Sequence, residues 1–223
     1  MSEPQRERPR LYLITPPQIE DVAAFVDQFR AAIQGGDIAS LQIRIKQGDA
    51  IDPAKTREVA QAVKRICLAE HIALIINDSP QLARALQVDG VHLGMDDMDI
   101  AEARDLVGPD MIIGATCKDS RHQAMMAGEA GADYVAFGAF YPTDTKTGTT
   151  RAEPDVLTWC QMFLTLPCAA IGGITLENAA PLIAAGADFL AVSSGVWDHK
   201  DGPAAAVASF NRVIEDAMAV SKI

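Results

Sequence analysis

No apolar run in the sequence approaches the ~20 residues that a membrane-crossing helix needs. The first residues, Met1 to Arg10, are charged, and no apolar segment long enough for a secretory signal follows them. The expectation is a cytoplasmic protein with a charged leader over residues 1–10 and one catalytic domain over 11–223. Basic charge is scarce as well. Lys plus Arg number 19 against 30 Asp plus Glu, a formal net charge of −11. Such a chain lacks the basic footprint of a non-specific nucleic-acid binder and the polybasic cluster that an anionic membrane attracts. Small anionic substrates stay open, because a local group of cations inside an acidic protein still binds anions. The four cysteines, Cys67, Cys117, Cys160 and Cys168, form no Cys-x-x-Cys pair. The four histidines are scattered, and neither type has zinc-ligand spacing. A disulfide framework and a zinc centre are both excluded.

What the sequence does have is alternation. Short apolar runs at 11–14, 40–45, 73–77, 90–93, 111–116, 134–137, 168–171 and 189–192 read as strands buried on both faces. Helical spacing fills 20–34, 53–70, 80–86, 100–107, 121–130, 154–163, 178–185 and 204–219. Asp52-Pro53 and Ser79-Pro80 each put a capping residue ahead of Pro at the first helical position. A weak repeat marks alternate strands: Asp37, Asp89, Asp133 and Asp188 each stand just before one, three of them behind a Gly two residues earlier. The expected fold is therefore α/β, a single (β/α)8 TIM barrel. A doubly wound open sheet shows the same alternation, but no Gly-x-Gly-x-x-Gly follows an early strand.

In a barrel the chemistry sits at the strand C-termini. After the second strand, alternation in Gln42-Ile43-Arg44-Ile45-Lys46 puts Gln42, Arg44 and Lys46 on one side. Two cations and an amide there suit phosphate oxygens. Asn77-Asp78 follows the third strand and Met95-Asp96-Asp97 the fourth. Carboxylates from neighbouring strand ends can converge on Mg2+, and a solvated acidic loop is the plainer alternative. Cys117 after the fifth strand has no base beside it in sequence and is expected to be a small loop residue rather than a nucleophile. A long polar loop, residues 138–150, follows the sixth strand and carries Thr143, Thr145 and Lys146. Such loops act as lids or anion clamps. Ile171-Gly172-Gly173 and Val192-Ser193-Ser194-Gly195 after the last two strands look like a backbone phosphate site.

These stretches, with Asp89-Gly90-Val91-His92-Leu93-Gly94 and Tyr141-Pro142-Thr143-Asp144-Thr145-Lys146, resemble in order the thiamine-phosphate synthase family, from Leu11 to Gly195. The resemblance implies a transferase that joins hydroxymethylpyrimidine diphosphate to hydroxyethylthiazole phosphate and releases pyrophosphate. It implies that Arg44, Lys46, Asn77 and Lys146 hold the diphosphate, with Arg44, Lys46 and Lys146 catalytic. Asp78 and Asp97 would ligate Mg2+, and Gln42 and Thr116 would face the pyrimidine. Thr143 and Thr145 would lie by the thiazole carrier, with its phosphate on Gly173, Val192 and Ser193. A homodimer is implied too. Met95, Ser79 and Thr116 depart from the family pattern. The related thiazole tautomerase is the nearest rival; it would carry a His where this chain has Ala139. A phosphate-binding barrel without turnover is a further alternative.

Overall fold

The computed structural model describes residues 6–48, 50–142 and 151–220. In chain order the strands are β1 (Arg10–Ile14), β2 (Ile38–Ile43), a hairpin of β3 (Lys46–Gln47) and β4 (Ala50–Ile51), then β5 (Ala73–Asn77), β6 (Gly90–Leu93), β7 (Ile112–Lys118), β8 (Tyr134–Phe137), β9 (Cys168–Ile171) and β10 (Phe189–Val192). All but the hairpin close into one parallel barrel, in which β1 pairs with both β2 and β10. The helices are α1 (Val22–Gln34), α2 (Pro53–Ala69), α3 (Pro80–Leu86), α4 (Ile100–Val107), α5 (Arg121–Glu129), α6 (Asp155–Phe163), α7 (Ala179–Ala185), α8 (Ser194–Trp197) and α9 (Gly202–Val220). The alternation thus resolves as a closed barrel rather than an open sheet. No described helix is long and apolar enough to cross a membrane.

Local signals act where the sequence puts them. Asp52 Oδ1 accepts from the Lys55 amide at 2.9 Å and Ser79 Oγ from the Leu82 amide at 3.2 Å, each ahead of Pro at the helix start. The second strand, however, stops at Ile43 rather than at residue 45. Beyond it the backbone is captured by the loop after β1: the Arg44 amide donates to Thr15 Oγ1 at 2.9 Å, and the Lys46 amide to the Pro17 carbonyl at 3.2 Å. Arg44 and Lys46 therefore stand beyond the strand, and Lys46 opens a hairpin that the alternation pattern did not indicate.

Two apolar layers hold the barrel. The outer one packs the outward faces of the strands, such as Leu11, Leu41, Ile76, Val91, Val135 and Leu190, under the helices. The inner one is small: Tyr12, Ile14, Tyr134, Ala136, Ala169 and Ala191. Glycine makes room inside it. A Cβ on Gly114 of β7 would stand 2.0 Å from Cζ of Tyr134, so only Gly lets that ring cross the interior.

The repeated aspartates form a device at the N-terminal rim. The Leu74 amide donates to Asp89 Oδ2 at 2.7 Å, the Ile113 amide to Asp133 Oδ2 at 2.7 Å and the Cys168 amide to Asp188 Oδ2 at 2.8 Å. Each carboxylate thus satisfies a backbone donor at the start of the preceding strand. Asp37 instead takes two bonds from Arg10 of β1, at 2.7 and 2.8 Å. Two residues before the aspartates, Gln87, Gly131 and Gly186 have φ of 50°, 98° and 120°, the left-handed turn that ends a helix.

Candidate active site

A cavity of about 1030 Å³ opens at the C-terminal ends of the strands. Its wall includes Gln42, Arg44 and Lys46, then Asn77, Asp78, Asp97 and Thr116, and across the mouth Gly173, Val192 and Ser193. Ten of the expected site residues therefore meet around one space. Thr143, Thr145 and Lys146 lie outside the described residues.

The polar wall is densely charged. Lys46 Nζ stands 3.1 Å from Asp78 Oδ2, with both side chains mostly covered. Asp78 adopts φ of 61°, a left-handed conformation that Asp tolerates better than most residues. Its neighbour Ser79 caps α3, which leaves the Asp78 carboxylate to face the cavity. The Gly94 amide donates to Asp97 Oδ2 at 2.6 Å. Burial pushes the Asp97 carboxyl above the usual range, and the facing Asp78 carboxyl pushes it further in the same direction. Burial pulls the Arg44 guanidinium below its ordinary value, against a partial offset from Asp78. Nδ2 of Asn77 is buried and has no hydrogen-bond partner in the protein. Two carboxylates, one of them held above its usual range, two cations and an unused amide donor together suit an anion bridged by a divalent cation.

The loops after β8, β9 and β10 form the other wall. Gly172 and Gly173 have φ of 100° and 62°. A Cβ on Gly172 would come within 2.4 Å of Ala139, and one on Gly173 within 2.3 Å of the Pro142 carbonyl. The pair is therefore demanded by packing of one loop on the next, which also leaves bare backbone at the cavity wall. Ser193 Oγ donates to the Thr15 carbonyl at 3.2 Å, tying the loop after β10 to the loop after β1. Ala139 is buried at the wall and carries no titratable group. Cys117 is buried, its thiol is pushed up to about 12, and its Sγ–H faces the Ala115 carbonyl at 3.6 Å. It is not a member of the cavity wall, and it lies within β7 rather than in the loop after the fifth strand where the sequence reading places it.

Three residues escaped the sequence reading: His92, which lines the cavity, and Tyr12 and Tyr134 behind it. Tyr12 OH donates to Gln42 Oε1 at 2.9 Å and lies 2.9 Å from Tyr134 OH. His92 bridges Tyr134 OH and Thr116 Oγ1, at 2.8 Å each. Strand parity would have found them, since Tyr12 and His92 stand at inward positions of β1 and β6.

The family model described as thiamine monophosphate synthase matches residues 11–196. A thiamine-phosphate synthase of Hyphomonas neptunium is 60% identical over 211 residues, covering 94% of this chain and 96% of the relative. One of Rhodospirillum centenum is 56% identical over 205 residues, covering 92% and 97%. Among solved structures, thiamine phosphate pyrophosphorylase from Pyrococcus furiosus superposes with a TM-score of 0.79 at 28% identity, covering 94% of this chain and 97% of that one. A 3-hexulose-6-phosphate synthase, at 16% identity and a TM-score of 0.66, shares the fold.

Proposed function

Because the chain belongs to the thiamine monophosphate synthase family, we propose that its barrel mouth is a Mg2+-assisted diphosphate site in which the thiamine phosphate bond is made. The protein is a transferase of thiamine biosynthesis: it couples hydroxymethylpyrimidine diphosphate with hydroxyethylthiazole phosphate to give thiamine phosphate and pyrophosphate. The observation that carries the site assignment is the convergence of Arg44, Lys46, Asp78, Asp97 and the unpartnered Asn77 amide on one cavity.

Asp78 and Asp97 fit a divalent cation because the Asp78 carboxyl raises the cost of ionising Asp97, a cost that a cation removes. No group of three or more His, Cys, Asp or Glu that could hold a metal occurs among the described residues. The remaining positions around Mg2+ would go to diphosphate oxygens and water, its usual habit. When bound, Mg2+ would neutralise charge on the leaving pyrophosphate. Arg44 and Lys46 supply fixed positive charge to the same oxygens, in a half-buried wall where it is screened less than in water. Asn77 Nδ2 donates one further hydrogen bond. Thr116 and Gln42 face the pyrimidine, whose ring stabilises the cation left when the C–O bond breaks. Backbone at Gly173 and at Val192-Ser193 holds the thiazole phosphate, so the thiazole nitrogen is presented across the cavity. Thr143, Thr145 and Lys146 complete the reading from the polar loop, the threonines by the thiazole carrier and Lys146 on the diphosphate. The tautomerase alternative lacks its proton carrier, since Ala139 lines the wall where an imidazole would be required. A cytoplasmic location belongs to the same reading; four free, buried thiols suit a reducing compartment.

Thermal unfolding with pyrophosphate, with and without Mg2+, tests the site. Pyrophosphate at 100 times its dissociation constant adds about 2.7 kcal/mol of stability. The effect should need Mg2+ and should vanish in Asp97→Ala. Equal stabilisation in excess chelator would remove the metal from the account.

A further inference from the structure

We propose that the buried chain Asn77–Gln42–Tyr12–Tyr134–His92–Thr116 is a polarised hydrogen-bond relay that holds His92 as its Nδ1–H tautomer and turns the Thr116 hydroxyl oxygen into an acceptor for the exocyclic amine of the pyrimidine. The proposal rests on the synthase reading, which supplies that pyrimidine.

The direction of the relay comes from counting protons. Gln42 Nε2 donates to Asn77 Oδ1 at 2.5 Å, so the amide oxygen of Gln42 is the acceptor for Tyr12 OH at 2.9 Å. A phenol has one proton. Tyr12 has given its proton to Gln42, so across the 2.9 Å contact it accepts from Tyr134. Tyr134, its proton now spent, accepts from Nδ1–H of His92 at 2.8 Å. Neutral imidazole protonated on Nδ1 bears a lone pair on Nε2, so Thr116 donates to it across 2.8 Å. The lone pairs of Thr116 Oγ1 are then what the cavity sees. Burial pushes both phenols far above their ordinary range, so both remain O–H groups throughout.

The reverse direction would turn every bond around, and the far end decides against it. As the chain stands, Asn77 Nδ2 is buried without a protein acceptor, at the wall shared with Arg44 and Lys46. Reversal would make that nitrogen the donor to Gln42 and aim Oδ1 of Asn77 at the diphosphate instead. An anion prefers the donor, so a bound diphosphate selects the direction that makes Thr116 an acceptor. The two ends of the substrate are thus read by one connected set of protons.

The chemistry uses this acceptor most when it matters. As the C–O bond to diphosphate breaks, the amine feeds electrons into the ring and its N–H becomes a stronger donor. A fixed acceptor there binds the transition state more than the ground state. Tyr12, Tyr134 and His92 act through Thr116 and are positioning residues.

The test is imidazole 15N NMR on the full-length protein with Mg2+ and inorganic pyrophosphate, followed by kinetics of Tyr134→Phe. Wild type should show His92 as the Nδ1–H tautomer. Tyr134→Phe, which deletes the acceptor of that proton, should give mixed tautomers. It should also lower kcat about tenfold, or ~1.4 kcal/mol, and leave KM for the thiazole phosphate unchanged. A His92 Nε2–H tautomer in wild type overturns the proposal, and so does a folded Tyr134→Phe with unchanged tautomer and kcat. The wild-type spectrum decides even if that variant does not fold. It needs no turnover, so a wild type that makes no thiamine phosphate would sink the synthase reading separately.

Discussion

The two rims of the barrel carry similar residues and use them in opposite ways. At the N-terminal rim, Asp89, Asp133 and Asp188 each accept from a strand amide, and Asp37 is held by Arg10. Charge there is matched within the protein. At the C-terminal rim, burial and the Asp78 carboxyl raise the cost of ionising Asp97, Arg44 is desolvated, and Asn77 Nδ2 has no partner. Charge there is matched only in part: Lys46 pairs with Asp78 and the Gly94 amide serves Asp97, while Asn77 Nδ2 waits for an acceptor. The lesson is that polar groups at strand ends report stability where the fold supplies all their partners and function where it leaves one, such as Asn77 Nδ2, without.

Removing one carboxylate from each rim breaks the comparison most sharply. Asp97→Ala should lower turnover by ~10²-fold or more, about 2.7 kcal/mol of transition-state stabilisation, while the unfolding midpoint of the ligand-free protein stays near wild type. Steady-state kinetics beside urea titration checks both halves. Asp133→Ala should do the reverse. The Ile113 amide loses its acceptor and Arg104 one of its several acceptors, which costs about 1–2 kcal/mol of stability, and turnover per folded molecule is unchanged. Asp37→Asn should have a smaller and pH-dependent effect. Arg10 holds the Asp37 carboxyl below its ordinary value, so the pair's contribution is present above about pH 4 and fades as pH falls through that lowered value. The pair is half-exposed, so the loss at neutral pH should be under about 1 kcal/mol. Urea midpoints measured from pH 7 to pH 3 should converge; a constant gap would contradict the assignment. The smallest effect belongs to Cys117→Ser. A buried thiol pushed up to about 12 and absent from the cavity wall is no nucleophile, so turnover should be retained. A trapped covalent adduct on Cys117 would overturn this.

Much of this division was legible in the sequence because it depends on short-range signals. Apolar runs bounded by Gly and Asp marked the strands, and Asp52-Pro53 and Ser79-Pro80 marked helix starts. The repeated Asp pointed to alternate strands before any contact was known. The cavity residues were legible from their places just past the strand C-termini, where a barrel gathers its loops. What was missed needs three dimensions or a second pattern. The hairpin of β3 and β4 escapes the alternation pattern, which carries on from the second strand through Lys46 without a break. Tyr12, Tyr134 and His92 sit on inward-facing positions of different strands, and their link depends on barrel closure. Gly172-Gly173 was read as open to phosphate; the contacts with Ala139 and Pro142 give a packing reason for the same residues.

The central proposal is that the C-terminal rim is where the diphosphate leaves as the thiamine bond forms, with Mg2+ there to assist. The direct measurement is formation of thiamine phosphate and pyrophosphate from the two purified phosphorylated substrates while Mg2+ is titrated against chelator. The account predicts stoichiometric production of both, rising with Mg2+ and abolished by chelator. Undiminished product formation in excess chelator, or no product at saturating Mg2+ from well-folded protein, would contradict it.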